Sequence, residues 1–248
     1  MVAGSSNPGI RIGTAGWSLS RAIGERFPGE GSHLERYAAR FNAVEINSSF
    51  YRPHRAATYE RWAASVPQSF RFAVKLPKAI SHQRRLVDCD DLLARFADEI
   101  ANLGDKRGPV LVQLPPSFAF DADLAAAFFD RARSALDGTI VCEPRHPTWF
   151  TPAADALLAA HHIARVAADP APVPEAAHAG GWPGLRYTRL HGSPHMYRSP
   201  YDGAAIARYA AAACAADVED WTMFDNTTTG AALFNALDML DRVAETCG

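Results

Sequence analysis

The segment 43–51, AVEINSSFY, alternates between apolar and polar residues as a strand with one buried face does. Val44 and Ile46 fall on one side and Glu45 and Asn47 on the other, because successive strand residues point to opposite faces. Similar runs return along the chain, each separated from the next by a helix-like run. We call the polar side of each strand its front. Polar fronts that recur in this way indicate that the strands share one interior, which their fronts face.

Eight such runs predict strands at residues 10–17, 43–51, 71–77, 109–115, 139–145, 164–169, 185–192 and 220–226. Apolar spacing and helix-end residues predict helices at 34–41, 57–66, 88–103, 121–136, 151–160, 202–216 and 230–245. Strands that alternate with helices predict a parallel sheet. An open doubly wound sheet is the alternative, but no GxGxxG motif follows the first strand. We therefore predict an α/β fold, a single closed (β/α)8 TIM-type barrel over residues 10–248, after a disordered tail at 1–9.

Composition and charge narrow the classes of partner. The formal net charge of −2 gives no general attraction to nucleic acid or acidic membranes, so an anion site would have to be local. No apolar run is long enough to span a bilayer. The four cysteines, Cys89, Cys142, Cys214 and Cys247, are scattered without a CxxC pair. We interpret them as reduced, mostly structural thiols of a cytoplasmic protein. The oligomeric state is left open.

The strand fronts form layers when they are aligned. The first front positions are apolar or aromatic, at Ala43, Ala73, Leu111, Val141, Ala167, Tyr187 and Met223. Two residues later the fronts are polar, at Glu45, Lys75, Gln113, Glu143, Asp169, Arg189 and Asp225. Barrel interiors are filled in such layers, and barrel active sites lie at the C-terminal ends of the strands. The polar layer is therefore either a structural lattice of ion pairs or the floor of a functional pocket.

Candidate roles follow from side-chain chemistry. We predict catalytic roles for Glu143, Glu45 and His191, with Glu143 as the proton-transfer residue. Predicted substrate-binding residues are Asn47, Lys75, Gln113, Arg145, His146, Arg189, Asp225 and Asn226. For Lys75, pairing with a carboxylate is favoured over anion binding or a Schiff base. The pair Asp225 and Asn226, followed by the TTTG run at 227–230, could offer both side chains and a helix N-terminus to an anion. No cofactor is indicated. No metal ligands are predicted, because the chain has no HxH or HExxH motif, and a divalent metal is left open as an alternative.

Seven motifs carry a resemblance to a known family. They are GTAGW at 13–17, FNAVEINSSFYRP at 41–53, RFAVKLPKAISHQRRL at 71–86, GPVLVQLPPSF at 108–118, EPRHPTW at 143–149, RLHGSP at 189–194 and FDNTTTG at 224–230. In this order they resemble the YecE-like family of bacterial and archaeal proteins, which carries a domain of unknown function. The resemblance implies a TIM-type barrel. It implies no established reaction, so it assigns no catalytic residue.

The sequence leaves open whether the protein is an enzyme. The function it favours is acid/base chemistry on a small polar or anionic substrate, phosphorylated or sugar-like, at the C-terminal mouth. One alternative is a metal-assisted phosphodiesterase or isomerase. Another is a non-catalytic protein that binds a ligand in the same place.

Overall fold

The structure of the protein is a computed structural model, which describes residues 9–21 and 23–247. The predicted tail at 1–9 lies outside the described residues except for Gly9. Gly248, the last residue of the predicted domain, also lies outside them.

Strands and helices alternate along most of the chain, as predicted, but the four strands between residues 163 and 190 follow one another without an α-helix. The strands are β1 (Ile10–Thr14), β2 (Ala43–Ile46), β3 (Arg71–Lys75), β4 (Arg107–Gln113), β5 (Ile140–Glu143), β6 (Ile163–Arg165), β7 (Ala167–Asp169), β8 (Gly180–Gly181), β9 (Leu185–Leu190) and β10 (Glu219–Phe224). The helices are α1 (His33–Ala38), α2 (Ser48–Tyr51), α3 (Ala56–Ala64), α4 (Asp90–Ala101), α5 (Ala122–Ala135), α6 (Pro152–Ala160), α7 (Gly203–Cys214) and α8 (Ala231–Cys247). A π-helical turn, Ala79–Gln83, follows β3.

The strands form two sheets, with orders β2-β3-β4-β5-β6-β8 and β1-β10-β9-β7. Neighbouring strands are parallel except β6 and β8, which pair antiparallel over two residues. At one margin the sheets meet through a parallel bridge between Ala15 and Glu45, where the Gly16 amide donates to the Glu45 carbonyl at 2.9 Å. The prediction of an α/β fold with parallel sheets is confirmed.

A second apolar core, separate from the one under the helices, joins the fronts of both sheets. It contains Ala43, Ala73, Leu111, Val141, Ala164, Val166, Leu185, Tyr187, Trp221 and Met223. Trp221 fills this core near the start of β4, since a Cβ added at Gly108 would lie 2.5 Å from its indole Cη2. The Trp221 and Tyr187 rings stack with centroids 6.0 Å apart. The predicted apolar layer is therefore present below the polar one.

The second strand ends earlier than predicted. It stops at Ile46, and α2 begins two residues later. The Ser49 hydroxyl donates to the carbonyl of Ile46 at 3.0 Å and to that of Lys75 at 2.6 Å. These bonds satisfy carbonyls at the ends of β2 and β3 and turn the chain into a helix. The prediction that the strand continues through Tyr51 was wrong.

The phase of the sixth predicted strand was also wrong. Ala164 and Val166 belong to the inner core instead of Ala167. The Asp169 carboxylate instead accepts hydrogen bonds from Tyr201 at 3.2 Å and Tyr209 at 2.7 Å. Register is fixed by a contrast between the two faces of a strand. The alanine-rich run around these residues offers little such contrast, so its sequence leaves the phase undetermined.

Two cysteines are paired, contrary to the prediction. Cys214 and Cys247 form a disulfide that joins the ends of α7 and α8, with Cα atoms 5.7 Å apart. Cys89 and Cys142 are free and buried, as expected of structural thiols. The pair is distant in sequence, and only the packing of α7 against α8 brings it together. The cytoplasmic location stays a prediction. Within the described ranges, no helix combines the length and apolar character needed to cross a membrane.

Candidate functional site

Arg189, in β9, is the centre of the polar layer. Its guanidinium donates to Glu45 from Nε at 3.1 Å and from Nη2 at 2.7 Å. Nη1 donates to Glu143 at 2.6 Å and to Gln113 at 3.3 Å, and Nη2 also donates to Asp225 at 3.0 Å. Strands from both sheets therefore deliver three carboxylates to one fully buried cation. The predicted convergence of these five side chains is observed.

His191, one residue beyond β9, lies between two of these carboxylates. Its Nε2 is 2.8 Å from Glu143 Oε1, and its Nδ1 is 3.0 Å from Asp225 Oδ2. An ionised carboxylate can only accept hydrogen bonds, whereas an imidazolium donates from both nitrogens. The protonated ring therefore satisfies both contacts, and a neutral ring can satisfy only one.

Arg145 and Tyr197 cover the solvent side of this histidine. Arg145 donates from Nη2 to Glu143 Oε1 at 3.1 Å and from Nη1 to the Tyr197 hydroxyl at 3.0 Å. The Tyr197 ring packs edge-on to the His191 ring, with centroids 5.6 Å apart. Tyr197 belongs to the loop after β9 and has a φ of 67°. Sequence reasoning missed it, because this loop has no periodic pattern that fixes where its side chains point.

Tyr187 supports the cluster from the apolar layer below. Its hydroxyl donates to Glu45 Oε2 at 2.8 Å. Burial and the Glu45 carboxylate raise the pKa of Tyr187, so its hydroxyl stays a donor. The sequence placed this residue in the inner layer but did not reveal the contact of its hydroxyl. One feature of the sequence could have indicated this contact. Tyr187 precedes Arg189 by two residues, so both side chains lie on the same face of the strand.

Lys75 differs from the other charged residues of the cluster. Across residues 9–21 and 23–247, it forms no ion pair with a carboxylate. Its ammonium instead lies 4.4 Å from the centre of the Phe50 ring. The prediction that Lys75 pairs with a carboxylate was wrong, because Arg189 already holds the three nearby acids.

The charges around Glu143 decide its protonation state. Burial raises the pKa of Glu143, but Arg189, His191 and Arg145 together outweigh burial and hold the pKa well below its usual range. Asp225 shows the same balance, with burial opposed chiefly by Arg189 and His191, and its pKa is lowered. Glu143 is therefore ionised at neutral pH. It can serve as a base or a hydrogen-bond acceptor, and the acid role is excluded for this resting state.

Solvent reaches some members of the cluster and not others. Lys75, Gln113 and Asp225 retain 7–8% exposure and the Arg145 side chain 15%, whereas Glu45 and Arg189 retain none. A ligand would therefore meet these four residues before the deeper groups.

A neighbouring cavity of about 310 Å³ lies where β1, β2 and β10 end and α8 begins. Trp17, His33, Asn47 and Thr227 are among its lining residues. The Asn47 side-chain oxygen is buried and has no hydrogen-bond partner in the part of the chain that the structure describes. Asn47 therefore belongs to the wall of this cavity and not to the ion-pair cluster.

Two predicted binding residues are placed elsewhere. The His146 ring contacts the Thr148 hydroxyl at 2.9 Å and accepts from the Thr148 amide at 3.3 Å, so it caps a short helical turn. The Asn226 amide donates to the Ser199 carbonyl and to Asn235 of α8, each at 3.0 Å. Both residues hold backbone segments together, and within the described ranges neither forms a hydrogen bond to the cluster.

The cluster does not present a ready set of metal ligands. Among the residues that the structure describes, no group of three or more His, Cys, Asp and Glu side chains has the arrangement of a metal site. Both nitrogens of His191 face carboxylates, and those carboxylates also accept from Arg189.

The chain is similar in sequence to two UPF0759 proteins of bacteria. The chain is 35% identical to the UPF0759 protein YecE of Escherichia coli K12 over 119 residues, which are 47% of this chain and 43% of that protein. It is 30% identical to the UPF0759 protein YunF of Bacillus subtilis over 151 residues, 58% of this chain and 53% of that protein. The chain therefore spans about half the length of the curated relatives it matches.

Solved structures show a similar fold. A DUF72 family protein of Enterococcus faecalis superimposes with a TM-score of 0.79 at 22% identity, over 95% of both chains. One from Thermotoga maritima gives a TM-score of 0.77 at 22% identity, over 95% of this chain and 99% of the other. Residues 11–247 match the family described as "Protein of unknown function DUF72". The chain belongs to this family, and its resemblance to YecE-like proteins is confirmed.

Proposed function

We propose that the protein is an enzyme that binds a small anionic substrate beside Lys75 and Arg145 and uses Glu143 as its base. The observation that carries the proposal is the isolation of Lys75 from the ion pairs of the cluster. The three carboxylates contact Arg189, Arg145 or His191, and among the described residues none of them forms an ion pair with Lys75. Lys75 keeps some exposure to solvent. A carboxylate or phosphate of the substrate would balance its charge.

The base in this proposal is Glu143, because the neighbouring cations keep it ionised. His191 lies 2.8 Å from it and can return a proton through that contact. Tyr197 and Arg145 stand between this pair and solvent, so substrate entry would displace the Tyr197 hydroxyl from Arg145. This arrangement favours proton transfer on a bound polar molecule over a purely structural lattice.

We also propose that the two sheets make one closed barrel, with the site at its C-terminal mouth. The bridge between Ala15 and Glu45 supports closure at one margin. At the other, Val166 alone separates β6 from β7, and its amide donates to the Cys142 carbonyl of the first sheet at 2.9 Å. The shared inner core supports the same arrangement. A crystal structure with β1 and β2 apart would contradict it.

The binding part of the proposal is tested by thermal denaturation with inorganic phosphate, sugar phosphates, sugar acids and neutral sugars. A ligand that binds the native state raises the apparent melting temperature. We expect anionic compounds to do so in the wild type and less in Lys75→Met. Arg26→Met, on a short exposed turn away from the cluster, is the matched control for loss of a positive charge. Equal stabilisation by neutral sugars would contradict the proposal.

The catalytic part is tested on the compounds that bind. Glu143→Gln retains the shape of the side chain and removes its charge. We expect a folded Glu143→Gln protein to bind the ligand and to lose turnover. Full turnover in this variant would contradict the role of Glu143, and binding without turnover in the wild type would favour a non-catalytic ligand-binding protein.

A further inference from the structure

We propose that Lys75 is a nucleophile that forms an imine with the carbonyl carbon of a small anionic aldehyde or ketone. This inference rests on the proposed function, because it specifies the substrate class of the same site.

The surroundings of Lys75 are those of a reactive amine. The side chain ends β3 and is 7% exposed, so it is largely desolvated but still reachable. Its Nζ lies over the Phe50 ring and, among the described residues, has no carboxylate partner. A carboxylate partner would hold the amine in its protonated, unreactive form. An aromatic face stabilises the ammonium more weakly and cannot accept its proton.

The three lysines of the chain have different environments. Lys106 donates to the carbonyls of Ala63 and Val66, each at 2.6 Å, which fixes it in a structural role. Lys78 is half-buried, and its ammonium lies 5.8 Å from the centre of the Tyr51 ring. Lys75 is the one of the three that reaches the carboxylate cluster. The other two therefore serve as internal controls.

The charged groups around Lys75 act in opposite directions. Burial and the Arg189 guanidinium lower the pKa of Lys75, while Glu45, Glu143 and Asp225 raise it, with a result of about 8. On the other side, His82 of the π-helical turn packs edge-on to Phe50, with ring centroids 5.0 Å apart. Burial, Lys75 and Arg145 lower the pKa of His82, so that ring adds no positive charge at neutral pH. A useful fraction of the amine is therefore neutral near physiological pH.

The chemical step is balanced without an external oxidant or reductant. The Nζ lone pair forms a bond to the carbonyl carbon while the C=O π bond opens to give a carbinolamine. The oxygen leaves as water with the two amine hydrogens, and the imine nitrogen takes a proton from solvent. The resulting iminium withdraws electrons from the adjacent carbon. The ionised Glu143 in the same cluster could then remove a proton from that carbon, which joins the amine and the base in one reaction.

The experiment traps the imine. The protein is incubated with dihydroxyacetone phosphate, pyruvate or pyridoxal 5′-phosphate, reduced with sodium borohydride, and mapped by peptide mass spectrometry. We expect a single adduct on Lys75 whose yield rises with pH through the pKa of about 8. The adduct should disappear in Lys75→Arg, which keeps the charge, and persist in Lys78→Arg. No adduct on Lys75 of the folded wild type, or equal labelling of Lys78 and Lys106, would overturn the inference.

A second probe separates this inference from the proposed function. Glycerol 3-phosphate carries a phosphate but no carbonyl, so it should raise the melting temperature without forming an adduct. If all the phosphates raise the melting temperature but no carbonyl compound is trapped, the imine inference fails and the anion site stands. If the phosphates neither bind nor react, both fail.

Discussion

Arg189 and Glu45 are joined by two hydrogen bonds, of 3.1 Å from Nε and 2.7 Å from Nη2, with both side chains fully buried. This fork-to-fork contact fixes the plane of the guanidinium. It directs Nη1 at Glu143, 2.6 Å away. The pair thus sets the geometry of the whole cluster, including the carboxylate that we propose as the base.

Replacement of Arg189 by Met should strongly destabilise the protein. The change leaves Glu45, Glu143 and Asp225 buried together without their common cation. Removal of one partner of a buried ion pair costs about 3–5 kcal/mol. Urea denaturation should show this loss. Arg242→Met is the control, because Arg242 pairs with Asp238 one turn away on the exposed side of α8. Such a pair contributes about 0.3–0.5 kcal/mol. Equal losses in both variants would contradict the central role of Arg189.

The stability difference between the wild type and Glu143→Gln should depend on pH. Because the folded state lowers the pKa of Glu143, its carboxylate stabilises the fold above the usual value of 4.5. That contribution is lost as the pH falls below 4.5 and through the lower, folded-state pKa. We therefore expect Glu143→Gln to be less stable by about 3 kcal/mol near neutral pH. The gap should narrow in acid, as measured by urea titrations across this range. A gap independent of pH would contradict the assignment.

Lys75→Met should instead stabilise the protein. The fold lowers the pKa of Lys75 from 10.5 to about 8, so the wild type loses stability by holding this group charged. Each pKa unit corresponds to about 1.4 kcal/mol, and the lost contact with Phe50 offsets part of the gain. We therefore expect the free energy of unfolding near neutral pH to rise by about 2 kcal/mol in Lys75→Met. Between pH 8 and 10.5 the unfolded wild type binds more protons than the folded wild type, so its stability rises with pH. The stability difference between Lys75→Met and the wild type should therefore close over this range. Chemical denaturation across this range tests the sign, with Lys78→Met as the matched control. A destabilised Lys75→Met would show that the ammonium holds the fold together.

Loss of the disulfide should lower stability under oxidising conditions. Cys214 and Cys247 are 33 residues apart, and closure of a loop of that length contributes about 3–4 kcal/mol in the chain-entropy estimate. Cys214→Ser should lose this amount, and a reductant should bring the wild type to the same melting temperature. Titration of the unreduced, denatured wild type should find two thiols. Four thiols would show that the bond does not form under those conditions.

The sequence predicted the parts of the fold that rest on contrast between strand faces. Glu45 and Gln113 each stand between two apolar residues that face the other side of the strand, so the phase of these strands could be deduced. The run before Asp169 lacks this contrast, and its phase was assigned wrongly. Element ends were less predictable where a single side chain decides them, as Ser49 does at the end of β2.

The sequence did not predict contacts that depend on loop conformation or on partner choice. Tyr197 reaches Arg145 from an irregular loop. Lys75 was expected to pair with a carboxylate, but pairing depends on which cation the carboxylates contact first in three dimensions. Arg189 lies at the geometric centre and occupies all three. The composition of the cluster was therefore predictable, and the division of its hydrogen bonds was not.

Trp221 also has a kinetic consequence. Its indole fills the space above Gly108 and, stacked with Tyr187, forms a floor beneath the polar cluster. A molecule bound at the cluster cannot pass through this floor. Substrate and product would then share one entrance, and a product that leaves slowly would block the next substrate from entering. Product release would then have to precede substrate entry, and a larger side chain at Gly108 would leave the entrance unchanged while it disrupts the floor.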